Sequence, residues 1–197
     1  METMGTALTR YFHDNGFGED GGYAATWVDF KLGPIPFPLP NSEARRRAVR
    51  YHDLHHVLTG YATDLPGEFE ISAWEIGAGC RDFHAAWVLN LSGMAGGMLR
   101  CPRRTWRAFL RGLDERSAYG RDYEALLASS VGDVRQELGI REVARRGSLG
   151  AFLRFVAAVG AGFVVGTLMM LVLLSPVTLA LWWAGRRAKV SAATTAA

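Results

Sequence analysis

The residues whose types and spacing could do chemistry lie between His52 and Glu68, in the stretch HDLHHVLTGYATDLPGE. Three of the five histidines in the chain fall inside five consecutive positions here. On a helix His52 and His56 are i, i+4 and stack on one face, and Asp53, i, i+3 from His56, joins that face. Val49 continues the stripe toward the N-terminus. On an amphipathic helix such a stripe is ordinarily Leu, Ile or Val turned to the core. Two imidazoles and a carboxylate in that place cost free energy unless something satisfies them, and a divalent metal would. Eleven residues follow, ending in Pro66-Gly67, and Glu68 is placed to open a second helix. Its carboxylate can return to the first helix and complete a set of His52, Asp53, His56 and Glu68. Two imidazoles with two carboxylates suit zinc, iron(II), manganese or cobalt and differ from thiolate-rich structural zinc sites. A short HDxxH also arises by chance, and a helical histidine pair is commonly a satisfied structural pair. The bare motif leaves both readings open.

The elements that must position these residues read as helices. Asn41 or Ser42 caps a helix running through RRRAVRYHDLHHVLT to Gly60, an ordinary C′ residue. Leu54, Val57, Leu58 and Tyr61 form a second apolar stripe beside the first, while Arg45 to Arg47 stay solvated. From Glu68 to about Leu99 the pattern is helical again, with a break at Gly77 and Gly79. Phe83, Trp87, Leu91, Met94 and Met98 fall on one stripe whose default role is core packing. Gly93, Gly96 and Gly97 allow close approach of another backbone or of an apolar ligand. His84 reads as an ordinary surface or core histidine. Pro102 opens the next helix, with Trp106, Phe109, Leu110 and Leu113 on one face and Arg103, Arg104, Arg107 and Arg111 on the others. Gly120-Arg121 precedes a last soluble helix carrying Tyr123, Leu126, Leu127 and Val131.

Residues 1–22 are polar and glycine-rich and read as loop. The type of Tyr23–Leu32 stays open. GPIPFPLPN must be extended, because each proline fixes its own φ and pushes its predecessor out of the α region. No stretch has convincing strand alternation. The expected fold class is therefore all-α: a compact helical domain with a metal site between two helices, followed by a C-terminal transmembrane helix. The expected organisation is an N-terminal loop and proline-rich strap (1–40), a helical metal-binding domain (41–148), and a membrane anchor with a short tail (149–197).

From Phe155 to Gly185 there is no charged residue, a run long enough to cross a hydrocarbon core about 30 Å thick. Arg154 bounds it on one side, and Trp182, Trp183, Arg186, Arg187 and Lys189 on the other, as interfacial anchors should. Pro176 either kinks the run or separates a short second piece. Gly162 and Gly166 form a GxxxG pair that permits a homodimer. The N-terminus has no apolar run, so the helical domain is expected to stay on the cytoplasmic side of the membrane.

A length of 197 residues suits one domain. The charge is nearly balanced, at +3, and the arginines are spread among helices, so the chain does not read as a nucleic-acid binder. Cys80 and Cys101 are the only cysteines, too few for a disulfide scaffold, and read as reduced thiols.

The region resembles the coenzyme Q biosynthesis protein 4 family, whose signature is His-Asp-x-x-His, eleven residues, then Glu. His52, Asp53, His56, Val57 to Gly67 and Glu68 match it without a gap. Gly67-Glu68, Trp74-Glu75, Gly120-Arg121 and VRQELGI (Val134 to Ile140) are similar to the family as well, so the likeness covers roughly residues 40–140. The C-terminal apolar segment departs from it. The resemblance implies zinc above other metals, with iron, cobalt or manganese as alternatives. It also implies a role in ubiquinone biosynthesis: replacement of the C1 carboxylate of a polyprenylated 4-hydroxybenzoate-type ring by hydroxyl, an oxidative decarboxylation. The expected partners are a polyprenylated aromatic lipid, the membrane and other quinone-biosynthesis proteins. The lipid tail is expected along residues 83–98. Glu75 stands as a partner behind the ligands or a proton carrier, and no other catalytic residue is assigned. The competing functions are a membrane-anchored lipid-binding scaffold, whose metal is structural, and a His-Asp metal-dependent phosphohydrolase, for which His13 is the only upstream histidine.

Overall fold

The computed structural model describes residues 1–32, 35–141, 146–180 and 182–183. It is all-α in class, with one two-stranded hairpin added. In chain order the elements are α1 (Met4–Asn15), β1 (Trp27–Leu32), β2 (Ile35–Pro40), α2 (Glu43–Thr59), α3 (Leu65–Ala78), α4 (His84–Arg100), α5 (Pro102–Gly112), α6 (Tyr123–Ala128), α7 (Val131–Leu138) and α8 (Leu149–Leu173). Pro34, Arg186, Arg187 and Lys189 lie outside the described residues, as does most of the tail.

The helix that carries the histidines forms as its ends dictate. Ser42 accepts from the Arg45 N–H as N-cap, and Gly60 closes the helix in the left-handed region at φ 74°. Leu54 and Leu58 are fully buried. The second helix starts where Asp64 accepts from the Gly67 N–H, with Pro66 in its first turn. It ends at Gly79, so Gly77 and Gly79 do mark the break before α4. α3 crosses α5 with backbones nearly touching: a Cβ on Gly112 would stand 2.1 Å from the Trp74 carbonyl oxygen, and one on Gly77 2.5 Å from that of Phe109. Gly112→Ala should therefore destabilise the fold by about 1–3 kcal/mol or more, read as a lower melting temperature with unchanged helix content.

Several expectations change. Residues 4–15 are helical, not loop. Met4, Ala7, Leu8 and Phe12 make a buried stripe at helical spacing, and Thr3 caps the helix while the Met4 N–H donates to the Ser129 carbonyl. The glycines that suggest loop begin only at Gly16, the C-cap. The proline strap is half of a hairpin: residues 35–40 pair antiparallel with 27–32, Trp27 opposite Pro40 and Leu32 opposite Ile35. Pro36, Pro38 and Pro40 share one parity, so their missing N–H groups fall on the outer edge, where a strand tolerates proline. Asn41, of the other parity, donates its N–H to the Thr26 carbonyl. The helix expected after Gly120 is two, α6 and α7, because Ser130 turns its hydroxyl to the Asp133 N–H and caps a new start. Arg111 is buried. It pairs with Glu115 at 3.0 Å and donates to the Thr59 carbonyl at 3.2 Å, while Glu115 also accepts from the Trp74 indole at 2.6 Å. Those bonds tie the end of α2 to α5.

The glycines of α4 serve helix packing. Gly93 lies against Ser72, and Gly96 and Gly97 lie against Phe69, with Thr105 also at Gly97. α8 is long and apolar enough to cross a membrane, and only 11% of its most apolar window is buried. It nevertheless packs on α4. Gly162 meets the Leu91 carbonyl and Ala95, and Gly166 meets Ser92. The GxxxG pair thus meets α4 of its own chain. Phe155 belongs to the main core, so packing does not stop at residue 148.

Candidate metal centre

α2 presents His52 and His56 one turn apart, and α3 brings Glu68 across to them. The Nε2 atoms of the two histidines are 3.2 Å apart. Glu68 places Oε2 3.4 Å from Nε2 of His52 and Oε1 3.4 Å from Nε2 of His56. Together the three could hold a metal ion. Two donor atoms each about 2.1 Å from one ion, at angles of about 95–110°, stand about 3.1–3.4 Å apart, so the spacing fits a shared ion.

The far side of each imidazole decides which nitrogen is offered. Nδ1 of His56 lies 2.9 Å from the Tyr61 carbonyl oxygen, which can only accept, so Nδ1 carries the proton. Nδ1 of His52 lies 2.9 Å from Oε1 of Glu75 and donates likewise. Each ring therefore turns the lone pair of its neutral form into the same small space. Two lone pairs facing each other at 3.2 Å need a proton or a cation between them.

Behind His52, the carboxylate of Glu75 is fully buried and fully used. Oε1 accepts from His52 and, at 2.7 Å, from Nδ1 of His55; Oε2 accepts from the Tyr119 hydroxyl at 2.6 Å and from the Asn90 amide. His55 is fixed in turn by the Ala118 N–H, which donates to its Nε2 at 2.8 Å. Burial alone would raise the carboxyl of Glu75, but His52 and His55 outweigh it and hold it well below the usual carboxylate range. Burial pushes His55 down, toward its neutral form. For Glu68, burial is likewise outweighed by the hydrogen bonds and charges of His52 and His56, which hold its carboxyl down to about 2. Burial opposes the charged form of His52, yet Glu75 and Glu68 prevail and raise its pKa well above the ordinary value.

Asp53 is near but is not one of the three convergent residues. Its Oδ2 accepts from the Tyr23 hydroxyl at 2.5 Å. A helix turns about 100° per residue, so Asp53 points to the flank, where α1 and the segment before β1 meet it. Burial lifts its carboxyl above the usual value. Tyr11 stacks on His56, with ring centroids 5.5 Å apart and planes at 23°, and Phe17 packs edge-on against Tyr11. The site opens where Glu68 is 40% exposed, beside exposed Leu65 one turn earlier on α3.

Of the residues singled out from sequence, His52, His56 and Glu68 come together, Asp53 is turned aside, and Glu75 stands directly behind His52. His55, Tyr119, Asn90, Tyr11 and Tyr23 were not foreseen; no local pattern marks them, since each reaches the site from a distant part of the chain or from the core face of its helix. His84 is exposed. His13 is exposed, lies beside Asp14, and is not among the residues that converge with His52, His56 and Glu68. Cys80 and Cys101 are free thiols. Compared with known proteins, the chain matches no family model, no curated relative and no solved structure.

A metal entering this space displaces the proton that otherwise separates the two nitrogens. Zinc titration by calorimetry in buffers of different ionisation enthalpy should show about one proton released at pH 7. Affinity should weaken as pH falls, by about tenfold per unit where His52 is protonated in the free protein.

Proposed function

We propose that the chain holds one divalent metal on His52, His56 and Glu68 and acts at a membrane on a polyprenylated 4-hydroxybenzoate-type ring in ubiquinone biosynthesis. The reaction is oxidative decarboxylation at C1. The bond from C1 to the carboxyl carbon breaks and carbon dioxide leaves. C1 gains a hydroxyl whose oxygen comes from dioxygen, and the second oxygen atom becomes water with two electrons and two protons from a reductant.

The observation that carries the metal is the facing pair of Nε2 atoms, each fixed by an acceptor at Nδ1, with both oxygens of Glu68 beside them. Bound there, a divalent ion supplies Lewis acidity and an anchor for the ring carboxylate. Three protein ligands leave positions for it. Zinc is the first choice by resemblance, and iron, cobalt or manganese suit the same donors. Glu75 and the Tyr61 carbonyl keep the imidazoles aimed. Tyr11 offers a flat face beside His56 to the incoming ring, and Asp53, held by Tyr23, is the buried carboxyl placed to hold a proton. The substrate class rests on the gapless His-Asp-x-x-His to Glu spacing and on an apolar α8 that brings lipid within reach, with the helical domain on the cytoplasmic side.

A second reading is a lipid-binding scaffold of a quinone-biosynthesis complex. The complete use of Glu75 by internal donors favours it, since such a network also suits a purely structural metal. Metal-loaded protein in vesicles, given polyprenylated 4-hydroxybenzoate, labelled dioxygen and a reductant, decides between them by mass spectrometry. The expected product has lost the ring carboxyl and gained one labelled oxygen. Binding of the lipid without conversion, for every metal tried, selects the scaffold.

A further inference from the structure

α8 has 25 residues and is therefore about 37 Å long. One stripe along almost its whole length faces the chain's own core: Ala151, Phe155, Gly162 and Leu173 are buried. Phe155 lies edge-on to Trp106 at 4.9 Å and to Phe109 at 5.4 Å. Farther on, Gly162 and Gly166 touch α4, and α8 also contacts β2. The opposite stripe, Leu149, Leu153, Val156, Val164 and Leu171, is 49–74% exposed. The helix thus has no polar face of its own; the folded domain occupies that place.

These contacts conflict with a perpendicular crossing. A crossing α8 with the domain in water would have to leave α4 and surrender the Phe155 and Gly162 contacts. One that kept them would carry α4, and the charged helices behind it, into hydrocarbon, where exposed charges are costly. We infer that α8 lies in the plane of an anionic membrane surface, with its outward stripe in one leaflet and α4 as its backing. This orientation keeps every contact and covers the exposed stripe with lipid.

Charge commits the occupant. Arg103 and Arg107 flank Trp106, whose ring meets Phe152 at the start of α8. Arg154 sits beside Leu153, and Arg100 follows Leu99, itself 76% exposed. Arg104 is neutralised by Glu70, whereas Arg100, Arg103, Arg107 and Arg154 are exposed and form no ion pair among the described residues. Unpaired arginines beside an apolar face suit acidic headgroups. The inference concerns how the chain meets the bilayer and does not depend on the metal chemistry.

The test places nitroxide labels, one at a time, on Leu153→Cys, Val164→Cys and Leu171→Cys in the full chain. A Cys101→Ser background is used, and the vesicles contain phosphatidylcholine and phosphatidylglycerol. Oxygen and a water-soluble nickel complex report depth. All three labels should be oxygen-accessible at one common depth, roughly 5–10 Å below the surface. Val164 at the bilayer centre, with the other two near opposite interfaces, would overturn the inference. Labels shielded from both reagents would overturn it too, by showing a second copy on this face. Arg103→Gln, Arg107→Gln and Arg154→Gln together should weaken partition into the acidic vesicles by roughly 100-fold. Unchanged partition would remove the acidic lipid from the proposal.

Discussion

Purified wild-type chain should carry about one divalent metal, and His52→Ala, His56→Ala or Glu68→Ala should each cost more than the roughly 10–100-fold in affinity expected from losing an outer partner of a ligand. The three donor atoms close one small triangle, so removing any one leaves two ligands. Asp53 does not replace the lost one, since its carboxylate accepts from Tyr23. Elemental analysis and competition with a chromogenic chelator read the loss. Circular dichroism should stay nearly unchanged for Glu68→Ala, because that side chain is 40% exposed and its helix keeps the Asp64 cap. Turnover of the polyprenylated ring, if the metal is catalytic, should vanish with the metal in all three. Full occupancy in any one of these variants would remove that residue as a ligand. Full occupancy in Asp53→Asn is the expected contrast, since Tyr23 keeps its partner in the amide oxygen.

Glu75→Ala should cost about 3–5 kcal/mol of stability and the metal as well, because it strips the acceptor from a fully buried set of donors. His52, His55, Tyr119 and Asn90 all donate to this one carboxylate. Each donor left unsatisfied costs about 1–3 kcal/mol, and the costs are not additive because the four share a site. Glu75→Gln separates the two consequences. The amide keeps the volume and one accepting oxygen, so stability falls less, while His52 loses its anionic partner. Metal affinity should then fall by about 10–100-fold. Thermal unfolding and chelator competition on the same preparations measure both. An alanine variant as stable as wild type, with its metal intact, would show that the buried carboxylate neither holds the core nor aims His52.

Features that depend on neighbours along the chain are legible in its amino acids alone. Ser42 and Gly60 bound α2, Pro66 starts α3 and Gly79 ends it, because capping and φ preference act within a turn. The i, i+4 spacing then placed His52 and His56 on one face, and the eleven-residue return brought Glu68 opposite them. Local reasoning also recognised α8 as apolar throughout. α1 is not legible locally, because its helical stripe precedes a run of glycines, and neither is the hairpin, since a strand half made of prolines has no alternation to read.

How His52, His56 and Glu68 are held depends on contacts made across the fold. The proton on each imidazole is fixed by Glu75 and by the Tyr61 carbonyl, and Asp53, which lies outside the convergent three, is held by Tyr23, thirty residues earlier. The same holds for α8. Its composition permits crossing a membrane, but whether one face stays on α4 depends on Phe155 finding Trp106 and Phe109, and on Gly162 lying against the Leu91 carbonyl. The physical reason is common to both cases. Hydrogen bonding to a buried group and close packing of a helix face are set by atoms far apart in the chain, whose encounter no local spacing encodes.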